Sequence, residues 1–381
     1  MILVYSGNAS DKSVGLSIII LVNRPRISVL INYIKAMYNI GGNVGIHFSD
    51  YHENTSSVTI SNSIIAHGSA AKGGGLFICV EARQPWQRGT VYPNTSLSIL
   101  EVLNTRFVNN SASDRGGGVL ITQYERSVTD NSVTDNIQRN ISFKQCQFIG
   151  NSIIRDHSLG NGAAVHIYKS KIPNKSVHVN PLFSFLFANC KFKNNQLSSE
   201  STEGRVVIFI LTNSIIIQDS CFISNKGTAI FLQNSKFSGN IVFEINSAKH
   251  GGALSLCQSS KMYISVRNIH IDFINNSATS TGGAINVREQ CTERVPLCFF
   301  QLGYQKSSTL QFINSVAELA GDVLCGGQID KCYFFIFKRV MHNSQKVHVQ
   351  YDFQPDSTEQ HLFVHYIIFS IWCLLLQHFR I

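Results

Sequence analysis

The chain of 381 residues is 14% charged and 44% hydrophobic, with 27 glycines and a formal net charge of +9. It is too apolar for a disordered chain and too poor in charged helix formers for a helical bundle. The basic balance admits acidic partners such as sulphated or uronic glycans, but the Lys and Arg residues stand singly, without the clustered, aromatic-interleaved pattern of a nucleic-acid binder.

Residues 1–40 carry apolar pieces, including GLSIIILV at 15–22. Asp11 and Lys12 precede that stretch and no small-residue cleavage site follows it, so an N-terminal cap or early coil is expected rather than a signal peptide.

From residue 41 onward one pattern recurs: glycine, a small residue, then an apolar alternation. It reads GGNVGIH at 41, GGGLFIC at 73, GGGVLIT at 116, GAAVHIY at 162, GRVVIFI at 204, GTAIFLQ at 227, GGALSLC at 251, GGAINVR at 282 and a degraded GDVLCGG at 321. Successive starts are 32, 43, 46, 42, 23, 24, 31 and 39 residues apart. The shortest intervals are too short for a strand, a crossover helix and a second strand, which need about 30 residues. They fit one turn of a coil built from short strands and tight bends, and the longer intervals add surface loops, which cost little. Residues 122–140 are expected to be such an insert, and the glycine phase looks imperfect at Gly204 and Gly227.

A second element is F-x-x-N, at Phe107, Phe148, Phe192, Phe222, Phe237, Phe243 and Phe273, while Phe312 is followed by Ser315 in place of Asn. From Ile64, Phe107, Phe273 and Phe312 the glycine start lies nine residues on. A third element precedes the Phe: apolar, any residue, an amide or Asp, then Cys, Ser or Thr. It occurs at Val102 to Phe107, Phe143 to Phe148, Phe187 to Phe192, Ile217 to Phe222 and Leu232 to Phe237. Each is expected to be a strand end, a one-residue bend and another inward step. In a parallel coil, equivalent residues lie about 4.8 Å apart, so like side chains stack. The expected aromatic stack is Phe107, Phe148, Phe192, Phe222, Phe273 and Phe312. The expected amide ladder is Asn110, Asn151, Asn195, Asn225 and Asn276, each in a left-handed bend and bonded to the Asn above and below.

With these paired motifs the chain resembles right-handed parallel β-helix proteins of the pectin-lyase-like type over roughly residues 40 to 335. F-x-x-N with GGA(I/L) is most similar to the repeats of polymorphic outer-membrane adhesins and of animal extracellular β-helix proteins. The expected fold is all-β, a right-handed parallel β-helix of about nine coils with irregular inserted loops. Its expected division is a cap or early coil over 1–40, the β-helix over 41–340 and a C-terminal tail over 341–381. That tail ends in HLFVHYIIFSIWCLLLQHFRI, whose apolar stretch is short for a membrane span of about 20 residues. A buried capping segment is the first expectation there and a membrane anchor the second.

Cys146 and Cys190 match in the repeat and are expected to form a packed thiol ladder, while Cys79 and Cys257 match each other at the end of the glycine-led strand. Cys291, Cys298, Cys325 and Cys332 fall in loop-like stretches and are the disulfide candidates in an oxidising compartment, with connectivity open. Asn8, Asn54, Asn94, Asn109, Asn140, Asn174 and Asn275 begin N-x-S/T triplets. Asn94, Asn140 and Asn174, in inserts, are the expected glycan acceptors, while Asn109 and Asn275 sit at a corner expected to be sterically closed.

Glycan-cleaving β-helices need neighbouring acids on one exposed strand, and no Asp-Asp pair, D-x-D or acid cluster occurs here. Asp272 and Asp322 fall on repeat strands and read as solvated positions, as does His250 before a turn. H-E-x-x-H, C-x-x-C and P-loop patterns do not occur, so no metal or other cofactor is expected. The expectation is a non-enzymatic extracellular or cell-surface rod presenting loops and a sheet face to glycans or proteins. The alternative is a carbohydrate lyase or hydrolase whose acids meet from separate coils.

Overall fold

The computed structural model describes residues 2–6, 16–21, 28–49, 57–83, 96–126, 138–154, 162–170, 183–197, 206–210, 215–232, 235–257, 261–264, 270–288, 298–302, 309–318, 323–326, 332–334, 340–342 and 349–352. Among these residues every regular element is a strand. Each winding contributes a strand to a leading sheet of ten, then to a phenylalanine sheet of ten, then to a glycine-led sheet of twelve. All neighbours pair in parallel except Ile2–Ser6 and Leu16–Leu21, which close the first edge of the glycine-led sheet as an antiparallel pair. Connections between parallel strands are right-handed as a rule, and the fold is a right-handed parallel β-helix.

Among the described residues there are ten windings rather than nine. The tenth, through Cys332–Phe334, Val340–His342 and Val349–Asp352, has no glycine motif by which to find it. Leu16–Leu21, Ser28–Asn32 and Lys35–Met37 precede the first motif and stack on the strands of the next winding.

Two left-handed bends five residues apart define the phenylalanine strand in windings one to six. The pairs are Tyr33 and Tyr38, Asn62 and His67, Asn104 and Asn109, Gln145 and Gly150, Asn189 and Asn194, and Asp219 and Ser224, all at positive φ. Between them, from the second winding to the sixth, the order is a buried small polar or thiol residue, an outward residue, an inward residue and an outward residue; the first winding has Ile34 at the first of these places. Asn, Asp and Gly tolerate the left-handed region, which explains the amide in the third sequence element.

The same geometry corrects the expected role of the F-x-x-N asparagine. The left-handed residue is the one before it, Asn109, Asn194 or Asn275, whereas Asn110, Asn195 and Asn276 are buried. Register corrects two further assignments. Phe107 pairs with Ile65, so Ile65 and not Ile64 faces inward, and that winding is one residue shorter. Phe237 pairs with Ile217 and Ile264 on the leading sheet, so Phe237 with Asn240 matches the motif without occupying its place. Leu232 lies on the glycine-led strand Thr228–Leu232, so Leu232 to Phe237 is not a bend into the phenylalanine sheet. The insert expected at 122–140 is narrower too, since Val119–Arg126 and Gln138–Lys144 are strands. Gly227 keeps phase, because Ile230, three residues on, aligns with Leu254, three residues after Gly251; Gly204 lies outside the described residues.

Two columns of rings fill the interior. Phe107, Phe148, Phe192, Phe222, Phe243, Phe273 and Phe312 stack with centroids 4.6 to 5.1 Å apart and planes within 14° of parallel. Phe243 belongs to this column, between Phe222 and Phe273. From the leading sheet, Phe143 and Phe187 stack on each other at 5.1 Å and meet the first column edge-on, Phe187 against Phe192 at 67°. Burying each ring contributes about 1.5–3 kcal/mol, and each ring pair adds about 0.5–1.5 kcal/mol. Val44, Leu76, Val119, Val165, Ile230, Leu254 and Ile285 close the core from the glycine-led sheet.

The glycine doublets answer to close approach. A Cβ on Gly117 would strike the carbonyls of Ser152 and Ala163 in the next winding. Only a residue without a side chain lets the chain turn into the glycine-led strand there.

Candidate functional site

The described residues present two kinds of chemistry, a buried polar spine beside the phenylalanine column and the outward face of the phenylalanine sheet.

The spine is a ladder of amides. In each winding from Asn110 to Asn246, the side-chain Nδ2 donates to the Oδ1 of the next ladder Asn, at 2.8–3.0 Å, through Asn151, Asn195, Asn225, Asn246 and Asn276. The same Nδ2 also donates to the carbonyl of the inward residue of the previous winding, as Asn195 does to Phe148. Each backbone N–H donates to the next Oδ1, as Asn195 does to Asn225. No polar atom of these amides is wasted, which is the condition for burying them. All five expected ladder residues lie in it, and Asn246, which the structure places between Asn225 and Asn276, accompanies the seventh aromatic, Phe243.

A second column runs along the first bend. Ser63, Thr105, Cys146, Cys190 and Ser220 each donate to the carbonyl two residues back, the thiols at 3.4 and 3.5 Å and the hydroxyls at 2.6 to 2.8 Å. Cys146 and Cys190 are free thiols there and buried. Burial and then the neighbouring Cys146 thiol push the Cys190 thiol well above its usual range. Cys79 is also buried.

Among the disulfide candidates, Cys291 lies outside the described residues. Cys298, Cys325 and Cys332 belong to the strands Cys298–Leu302, Val323–Gly326 and Cys332–Phe334 rather than to loops, and Cys298 is the backbone register partner of Cys332. Asn140 lies on the strand Gln138–Lys144, where it accepts a hydrogen bond from Ser184 Oγ, and not in an insert; Asn94 and Asn174 are outside the described residues. Asn109 and Asn275 are exposed, contrary to the closed corner expected of them.

Four carboxylates on the described surface are engaged. Asp272 lies 3.0 Å from His270 Nε2, Glu101 lies 2.6 Å from Lys144 Nζ, and Asp114 faces both Lys72 and Arg115. Asp219 accepts the backbone N–H of Asn240. Asp322 lies outside the described residues. His250 is half-buried rather than a free surface group: its Nδ1 is 2.7 Å from Thr281 Oγ1. Cys221, half-buried on the outward face, has its thiol pushed up by burial, drawn down by Lys191 and pushed up again by Glu244. No cluster of three metal-ligating side chains occurs among the described residues. No helix among them is long and apolar enough to cross a membrane, and residues 361–381 lie outside them.

The fold and its amide spine define a parallel β-helix repeat protein. Residues 270–288, from the strand His270–Ile274 through the doublet Gly282 and Gly283 to Arg288, match the Chlamydia polymorphic membrane protein repeat. Comparison with curated proteins and with solved structures gives no match.

Proposed function

We propose that the protein is a non-enzymatic extracellular or cell-surface scaffold of adhesion type, presenting its loops and a flat sheet face to glycans or extracellular proteins. The observation that carries this reading is the match of residues 270–288 to a repeat described for polymorphic membrane proteins, in a chain whose neighbouring windings continue the same Phe and Asn columns. The engagement of Asp272, Glu101, Asp114 and Asp219 in ion pairs and backbone contacts supports binding over acid–base chemistry. The test is glycan and cell-surface binding measured beside reducing-end release from the same polysaccharides. Binding without release is expected; release of reducing ends would turn the assignment to a lyase or hydrolase.

A further inference from the structure

The basic residues that stand singly in the sequence do not stand singly in the fold. Ladder register along the outward face of the phenylalanine sheet runs Lys35, Ile64, Arg106, Gln147, Lys191. A cation therefore occupies every second winding, at a repeat of about 10 Å, twice the strand spacing. Lys193 stands two residues beyond Lys191 on the same face. Among the described residues these cations have no ion-pair partner, unlike Lys144 on the leading sheet, which is taken by Glu101. Further along, the sign reverses at Glu244 and Asp272. At the first windings Tyr38 and His67, consecutive in the left-handed bend that borders this face, stack at 4.6 Å with planes 8° apart. Tyr38 is 70% exposed. A tyrosine is an unusual choice for a left-handed bend, where the windings after His67 use Asn, Gly or Ser and once Ile.

We propose that this face binds a linear acidic polysaccharide carrying one anionic group per disaccharide. The chain lies along the rod over windings one to five, with its anions on Lys35, Arg106 and Lys191 and a sugar ring against Tyr38. The disaccharide length of such polymers equals the cation repeat. A nucleic-acid strand matches poorly, since its phosphates recur about every 3.4 Å. Glu244 and Asp272 end the site by repulsion, which limits it to about 20 Å. The inference rests on the surface-binding reading above and specifies its ligand.

The experiment is titration of the full chain with hyaluronate oligosaccharides at low salt, with dextran and duplex DNA as comparators. Arg106→Gln with Lys191→Gln should weaken hyaluronate binding by about tenfold or more, and added salt should weaken it further. Tyr38→Asn, a substitution suited to the bend, should also weaken it, whereas Lys144→Gln should change it by less than about twofold. An unchanged thermal midpoint in each variant separates lost contact from lost fold. Equal affinity for dextran, tighter binding of DNA, or equal loss in Lys144→Gln would overturn the proposal. Cell-surface binding that survives in the Arg106 and Lys191 variant would overturn this site while leaving the adhesion reading intact.

Discussion

The Asn43 side-chain amide donates to Asn110 Oδ1 at 3.0 Å across 67 residues of sequence, and so carries the amide ladder past a winding that lacks its own Asn. That winding has Gly68 at the ladder position, and a Cβ there would run into the Asn43 amide and the Gly74 carbonyl. Asn43 reaches in from the start of the glycine-led strand, donates to the Ala66 carbonyl and accepts from Asn39. A side chain from a different corner thus replaces the missing rung.

Replacing it should be costly. Asn43→Ala leaves Asn39 Nδ2 without its acceptor and removes one of the two donors to the Ala66 carbonyl, which costs about 2 kcal/mol. The urea midpoint should fall accordingly. Gly68→Asn should not restore it, because the Gly74 carbonyl still blocks a side chain at 68.

At the other end the ladder stops at Ser315, which aligns with Asn276 and whose Oγ is buried without a hydrogen-bond partner. Ser315→Asn adds a rung whose Oδ1 can accept from Asn276 as Asn276 Oδ1 accepts from Asn246, and should stabilise the protein by about 1 kcal/mol. A higher thermal midpoint checks it.

Ile245 occupies a left-handed bend at φ 55 and is 51% exposed, a poor place for a β-branched residue. Ile245→Asn matches Asn109 and Asn275 in the same column and should stabilise by about 1 kcal/mol. A lowered thermal midpoint would contradict the bend assignment.

The sign of the thiol effect follows from burial. Cys190 has its pKa raised in the folded state, so the folded protein holds the proton to higher pH than the unfolded chain does. The stability this provides is fully present below about pH 8.5, the ordinary thiol value, and is lost as pH rises towards the folded pKa. Urea midpoints measured from pH 7 to 10 should decline, and Cys190→Ser, which copies Ser220 in the same column, should decline less.

How much of this was legible beforehand depends on whether a residue's role is periodic. Phe148, Phe192, Asn151 and Asn195 recur in register, and their stacking is what repetition in a parallel coil demands. Asn43 was not legible, because it acts from another corner and only the missing side chain at Gly68 leaves room for its amide. Phe237 with Asn240 fits the local pattern and fails, since Gly239 is the bend that ends the leading strand, as Asp219 is one winding before, and Phe237 lies ahead of it on the leading sheet. The cation column was hidden for the opposite reason: inserts of unequal length separate Lys35, Arg106 and Lys191 in sequence, and only the ladder register aligns them. Cys298 and Cys332 read as loop residues because their windings carry no clean glycine motif.

The most direct test of the stacked windings is an electron-density map at side-chain resolution, read at Phe148 and Phe192. Parallel rings with centroids near 4.6 Å, flanked by an Asn151 to Asn195 amide bond, are the predicted result. Rings on opposite surfaces, or separated by an intervening strand, would contradict it.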